Sequence, residues 1–213
     1  VKSLYIDTSN RALSVAVSDD VLLAEININV KRTHSETLMP VINEVLKLAN
    51  VDKSELERII VANGPGSYTG LRIGVTVAKT LAFSLNIPIY TVSSLLVLAA
   101  SYRGVVAPMM DARRGNCFSA IYDVDQNGYD VLEEPKLRTG KEYSDLVLKY
   151  GAVIVHNTLE KQSFEVDGVH TTPRISSLIG MDDDLLTKVD AHDVVPDYLR
   201  LTEAERNWKN NQS

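Results

Sequence analysis

Two short segments bring together side chains that could do chemistry. Asp7-Thr8-Ser9 ends an apolar opening run, and Gly64-Pro65-Gly66-Ser67-Tyr68-Thr69-Gly70 joins a second apolar run to an amphipathic stretch. A carboxylate and two hydroxyls at a strand end could meet a phosphate and its metal. The same residues could instead close a turn by bonding nearby backbone N–H groups. The glycine-rich segment permits positive φ and close backbone approach, and it precedes a helix whose free N–H groups favour anions. It therefore reads as a phosphate cradle or as a tight strand-to-helix turn. It lacks the Gly-Lys-Ser/Thr ending of a Walker loop and the spacing of the dinucleotide fingerprint. Ser67 lacks the Gly-x-Ser-x-Gly context of a nucleophile elbow, so no hydrolase triad can be nominated.

Other reactive types are dispersed. His34 stands just before a helix and reads as a cap or surface contact, and His156, His170 and His192 show no metal spacing with it. Asp182-Asp183-Asp184 suits a polar cap better than a magnesium site. Asp111-Ala112-Arg113-Arg114-Gly115 reads as a salt-bridged loop at a lobe junction. Cys117 is the single cysteine, which excludes an internal disulfide and fits a reducing compartment. The formal net charge of −6 repels a phosphate backbone, so the chain alone is not expected to grip nucleic acid. No stretch approaches the roughly 18 apolar residues of a membrane span. The opening residues read as a strand rather than a leader, and a cytoplasmic chain is expected.

The elements that must position these residues follow from periodicity. Residues 1–6, 12–17 and 21–30 read as β-strands, with Asp19-Asp20 as a turn between the last two. Residues 35–49 read as a helix capped by Ser35, with Leu38, Ile42, Val45, Leu46 and Ala49 at helical spacing and Pro40 in the first turn. A buried strand over 59–62, a helix over 71–85 stopped by Asn86 and Pro88, a strand over 89–92 and a short helix over 94–101 follow. Strands are predicted over 105–110, 118–124, 128–132 and 152–155, and helical pieces over 143–150 and 175–179. Two successive α/β units in 213 residues suggest two lobes. The expected division is 1–103, a degenerate second lobe over 104–200, and a tail over 201–213.

The run His34-Ser35-Glu36-Thr37-Leu38, followed by the eleven residues from Gly64 to Gly74, resembles the TsaB/YeaZ family. Ile6-Asp7-Thr8-Ser9, Met110-Asp111-Ala112-Arg113-Arg114 and Pro196-Asp197-Tyr198-Leu199-Arg200 match in order. The resemblance implies an α/β, actin-like (ASKHA, ribonuclease-H-like) two-lobed fold with mixed sheets. It implies a non-catalytic scaffold or activating subunit in the transfer of threonylcarbamoyl to adenosine 37 of tRNAs reading codons that begin with A. The implied partners are TsaD as a heterodimer and TsaE, with a homodimer in isolation and tRNA met only through the complex. No cofactor is expected in this chain; ATP and a metal belong to the partner subunits. TsaD-like relatives carry two metal-binding histidines at i and i+4 on a helix whose counterpart here reads Ser94 and Leu98, and leucine cannot ligate a metal.

Paired subunits of the family meet through two first-lobe helices, which implies an interface at Leu38, Ile42, Val45, Leu71, Gly74, Val75 and Ala78. Asp7, Thr8, Ser9, Gly64, Gly66 and Ser67 would form a vestigial phosphate loop. The rival readings are a small actin-like ATPase or phosphotransferase using Asp7 and the 64–70 loop, and a peptidase. The missing histidine pair and nucleophile set count against the peptidase.

Overall fold

The computed structural model describes residues 1–29, 33–158, 167–181 and 186–199. The chain opens with three strands, β1 (Lys2–Asp7), β2 (Leu13–Asp19) and β3 (Val21–Ile28), then α1 (His34–Ala49), β4 (Arg58–Gly64), α2 (Tyr68–Leu85), β5 (Ile89–Ser93) and α3 (Ser94–Ala99). It continues through β6 (Gly104–Arg113), β7 (Asn116–Val124), β8 (Tyr129–Thr139), α4 (Gly140–Tyr150), β9 (Val153–His156), β10 (Val169–His170) and β11 (Thr187–Val189).

The first sheet has six strands in the order β11-β5-β4-β1-β2-β3, and the second has five in the order β10-β9-β6-β7-β8. In each, an antiparallel meander (β1-β2-β3, β6-β7-β8) is extended beside its first member by two parallel strands (β4-β5, β9-β10), and β11 adds an antiparallel edge to the first sheet. The second sheet therefore repeats the topology of the first, and both are mixed, as an actin-like fold requires.

Alternation along the strands sets the layers. Leu4 and Ile6 point to one face of the first sheet and join Val15, Ile59 and Val61 beneath α1 and α2. Tyr5, Ala16 and Ile60 point to the other face, where α3 and the 3-10 turn Ile175–Leu178 lie between the sheets. Met110, Ala120, Tyr122 and Val155 close that layer from the second sheet. Tyr143 of α4 covers the far face of the second sheet with Ala107, Met109 and Cys117. Central strands buried on both faces explain their nearly continuous apolar runs.

Several expectations are corrected. The N-cap of α1 is Thr33, not Ser35, and makes no side-chain cap bond; Pro40 lies within the helix rather than in its first turn. Pro40 is exposed, so water can serve the carbonyl that a proline ring cannot bond. β8 runs on through Pro135 to Thr139, which an edge strand tolerates. The second lobe does not extend to residue 200. β11 pairs antiparallel with β5 of the first sheet, and Val194 is buried in the layer of α1 and α2. Hydrophobic burial thus draws residues 187–199 back onto the first lobe. The tail over 201–213 lies outside the described residues. Among the described residues, no helix is long and apolar enough to cross a membrane.

Candidate functional site

The ends of β1 and β4 meet at the turn Asp7-Thr8-Ser9. Asp7 is buried, and its carboxylate accepts the Ser9 N–H at 2.8 Å. Burial raises the Asp7 carboxyl above its ordinary value, while the bonds from Ser9 and the charge of His34 oppose that shift. The Thr8 hydroxyl donates to the Gly70 carbonyl at 2.7 Å. His34 is the first residue of α1, and its Nε2 lies 2.8 Å from the Asn10 carbonyl, tying the helix to this turn.

Two glycines of the 64–70 loop serve close packing. Gly64 has φ +143°, and a Cβ there would collide with the Asp197 carbonyl. A Cβ on Gly66 would collide with the Ser9 carbonyl, which accepts the Ser67 N–H at 2.7 Å. Ser67 caps α2 by accepting the Gly70 N–H at 3.3 Å. The sequence-predicted phosphate-loop residues are therefore together, but the N–H groups of Ser9, Ser67 and Gly70 are engaged within the loop.

Beside the loop runs a cleft of about 690 Å³ between the lobes. Ser9, Arg11, Ser67 and Tyr68 line it from the first lobe, Asp111, Arg113, Asn157 and Thr158 from the second, and Tyr198 from the returning chain. Arg113 and Arg114 both have positive φ, 66° and 55°, ahead of Gly115. Asp111 accepts the Arg113 backbone N–H at 2.7 Å. The expected salt-bridged loop is corrected: among the described residues no ion pair joins Asp111 to either arginine, because its carboxylate closes the hairpin turn instead.

The returning chain is anchored at several points. Lys79 Nζ donates to the His192 carbonyl at 3.1 Å, and the Asp197 N–H donates to the Asn63 carbonyl at 2.7 Å. Tyr198 stacks on Tyr68 with ring centroids 4.8 Å apart. Burial and the neighbouring Tyr68 raise the Tyr198 phenol. Spacing along the chain gave no signal for this contact beyond the aromatic in Pro196-Asp197-Tyr198.

Ser94 and Leu98 are fully buried on α3, in the layer between the sheets. Among the described residues, the Ser94 hydroxyl has no hydrogen-bond partner there. Among the described residues no three His, Cys, Asp or Glu side chains gather as metal ligands, and Asp182–Asp184 lies outside those residues. A histidine pair does form that sequence spacing missed. His156 and His170 are register partners on β9 and β10, with ring centroids 5.5 Å apart. His156 Nδ1 lies 2.7 Å from the Thr158 hydroxyl oxygen. Burial and the charge of His170 lower the His156 imidazole.

The seven residues expected at a partner surface are corrected. Leu38, Ile42, Val45, Leu71, Gly74, Val75 and Ala78 are all buried, and Leu38, Ile42, Val45, Val75 and Ala78 belong to the apolar layer that covers the first sheet. A Cβ on Gly74 would collide with the Thr8 hydroxyl, so the glycine admits β1's turn, not a partner helix. The apolar stripe at helical spacing is the sheet-facing one. The outward faces carry other residues: Met39, Ile73 and Val77 are half-buried, and Tyr68 and Arg72 are exposed. Ser35, Tyr68, Arg72, Ile73, Thr76 and Val77 line a groove of about 490 Å³ there.

Comparisons with known proteins agree with this architecture. The family model described as "TsaD: tRNA N6-adenosine threonylcarbamoyltransferase" matches residues 22–189. The chain is 39% identical to the tRNA threonylcarbamoyladenosine biosynthesis protein TsaB of Bacillus subtilis (strain 168), covering 98% of each. It is 31% identical to TsaB of Escherichia coli (strain K12), covering 78% of this chain and 69% of that one. The solved structure of YeaZ from Pseudomonas aeruginosa superposes with a TM-score of 0.78 at 25% identity, covering 93% of this chain and 99% of that one. Near-complete coverage at such identity, on the same pair of mixed sheets, means that the chain belongs to the TsaB (YeaZ) family of tRNA threonylcarbamoyladenosine biosynthesis proteins.

Proposed function

We propose that this chain is a non-catalytic, activating subunit of the cytoplasmic machinery that adds threonylcarbamoyl to adenosine in tRNA. It pairs with a TsaD-type transferase and supports the recruitment of TsaE. ATP and metal are held by those subunits, and tRNA is met only through the complex. The observation that carries this reading is how the glycine-rich loop uses its donors. Ser67 N–H is spent on the Ser9 carbonyl, Gly70 N–H on the Ser67 hydroxyl, and Ser9 N–H on the buried Asp7. A phosphate cradle needs such groups free and aimed at the ligand. Here the glycines admit neighbouring backbone instead. The burial of Ser94 and Leu98 within the apolar layer supports the same reading.

The partner surface is the outward face of α1 and α2, with Met39, Ile73 and Val77 as its apolar centre and Tyr68 and Arg72 at its rim. The same face pairs two copies when the partner is absent. Half-buried apolar side chains beside a groove gain most when a second helix pair excludes water from them.

Reconstitution tests the proposal. The chain is combined with its cognate TsaD and TsaE, and threonylcarbamoyladenosine in tRNA is measured with and without it. Modification is expected to depend on the chain, while calorimetry on the isolated chain shows weak ATP binding or none. Tight ATP binding with turnover by the chain alone would refute the non-catalytic reading.

A further inference from the structure

Tyr68 belongs to two surfaces at once. As the first residue of α2 it lines both the interlobe cleft and the groove on the helix face. Its side chain is 59% exposed, and an aromatic ring at a helix start would be free to change rotamer without support. Support comes from two directions. Arg72, one turn on, donates Nη1 to the Tyr68 hydroxyl at 3.0 Å, with its guanidinium 5.5 Å from the ring centroid. Tyr198 stacks on the same ring from the far end of the chain, with the planes 24° apart.

Tyr198 is itself held in place. The preceding Asp197 donates its N–H to the Asn63 carbonyl, its own carbonyl packs where only Gly64 leaves room, and its carboxylate accepts the Leu199 N–H at 3.0 Å. A rigidly seated strap therefore presents one aromatic ring to one exposed aromatic ring on the helix face. The strap reaches that point after pairing β11 with β5 and burying Val194.

We propose that Tyr198 is a positioning residue of the partner surface: by stacking on Tyr68, the returning strap holds Tyr68 and Arg72 in the arrangement that a TsaD-type subunit meets, and joins that surface to the interlobe cleft. This rests on the reading of the α1/α2 face as the partner surface. Preorganised rim residues bind without first losing rotamer freedom, which is the cost the stack removes.

The test uses the full chain and its cognate TsaD, with affinity measured by calorimetry. Tyr198→Ala is expected to weaken association roughly three- to tenfold, the range of an aromatic stack. Tyr198→Phe, which keeps the ring, is expected to stay within about twofold of the parent. Val195→Ser, on an exposed strap residue outside the stack, leaves affinity unchanged. Hydrogen exchange at the Asp197 amide reports whether the strap remains seated, and it stays protected in Tyr198→Ala.

Unchanged affinity in Tyr198→Ala overturns the proposal. So does a loss that Tyr198→Phe fails to rescue, or one accompanied by fast exchange at Asp197, since either means a merely structural effect. Ile73→Asp separates the two readings. If it leaves the complex intact, the helix-face reading fails. If it breaks the complex while Tyr198→Ala does not, only the strap proposal fails.

Discussion

Replacing Gly64 with alanine probes why the glycine-rich loop has its composition. Gly64 sits at φ +143°, and an added Cβ would run into the Asp197 backbone carbonyl. Backbone cannot swing aside like the end of a long side chain, so either Gly64 is strained or the strap lifts. Strain at such a φ costs about 1–3 kcal/mol. Lifting the strap loses the Asp197–Asn63 hydrogen bond of 2.7 Å, with a net value of about 0.5–1.5 kcal/mol. It also loses the Tyr68–Tyr198 stack, about 0.5–1.5 kcal/mol, and withdraws the 2% exposed Val194 from its apolar layer, about 1.5–3 kcal/mol. The two routes compete, so the cheaper one bounds the expected loss at about 1–3 kcal/mol. At about 2–4 °C per kcal/mol for a chain of this size, Tm falls by roughly 2–12 °C. Thermal melts followed by circular dichroism measure the loss, and hydrogen exchange at Asp197 shows which route is taken. A loss below about 1 kcal/mol with the Asp197 amide still protected would refute the argument, because neither the strain at this φ nor the collision with the Asp197 carbonyl would then be felt.

Three further outcomes are expected. Val75→Glu places a carboxylate where the parent side chain is 3% exposed, so the monomer should lose about 3–5 kcal/mol in urea unfolding, whereas Ile73→Asp should leave it folded and abolish pairing. Burial raises the Asp7 carboxyl above the ordinary 3.8, so the native state holds that proton longer than the unfolded state and stability falls as pH rises from about that value through the folded-state one. Asp7→Asn should remove this fall, seen as a smaller drop in Tm between acidic and neutral buffers; an unchanged pH profile would count against a buried, protonatable Asp7. Burial pushes the Cys117 thiol up to about 11, so thiol reagents should modify it in the native protein far more slowly than in urea, and equal rates would contradict its burial.

Much of the architecture was legible from local pattern. The strand alternation that sends Leu4 and Ile6 one way and Tyr5 the other, and the helical spacing of Leu38, Ile42 and Val45, are short-range regularities that a sequence displays directly. The glycine-rich turn before α2 was equally plain, since few residue types suit such a bend. The same reasoning misread the partner face. Apolar residues at helical spacing identify a stripe, but they do not say whether a sheet or another subunit covers it; Gly74 proved to face Thr8, and Val75 to lie in the apolar layer with Leu4, Ile6, Ile59 and Val61.

The sequence by itself determined that this is an acidic, mixed α/β chain with a specific set of family motifs, because composition, periodicity and turn chemistry act within a few residues of one another. Tertiary structure alone decided what those motifs do. It brought Asp197 to Gly64, Ser9 to Gly66 and Tyr198 to Tyr68, and it paired His156 with His170 across two strands. The contacts at Gly64, Gly66 and Tyr68 join residues far apart in the chain, and they depend on how the hydrophobic layers close on either side of the first sheet. Whether a loop amide is free for a ligand or spent on a neighbouring carbonyl is settled by that closure, because the competing acceptor arrives from another part of the fold.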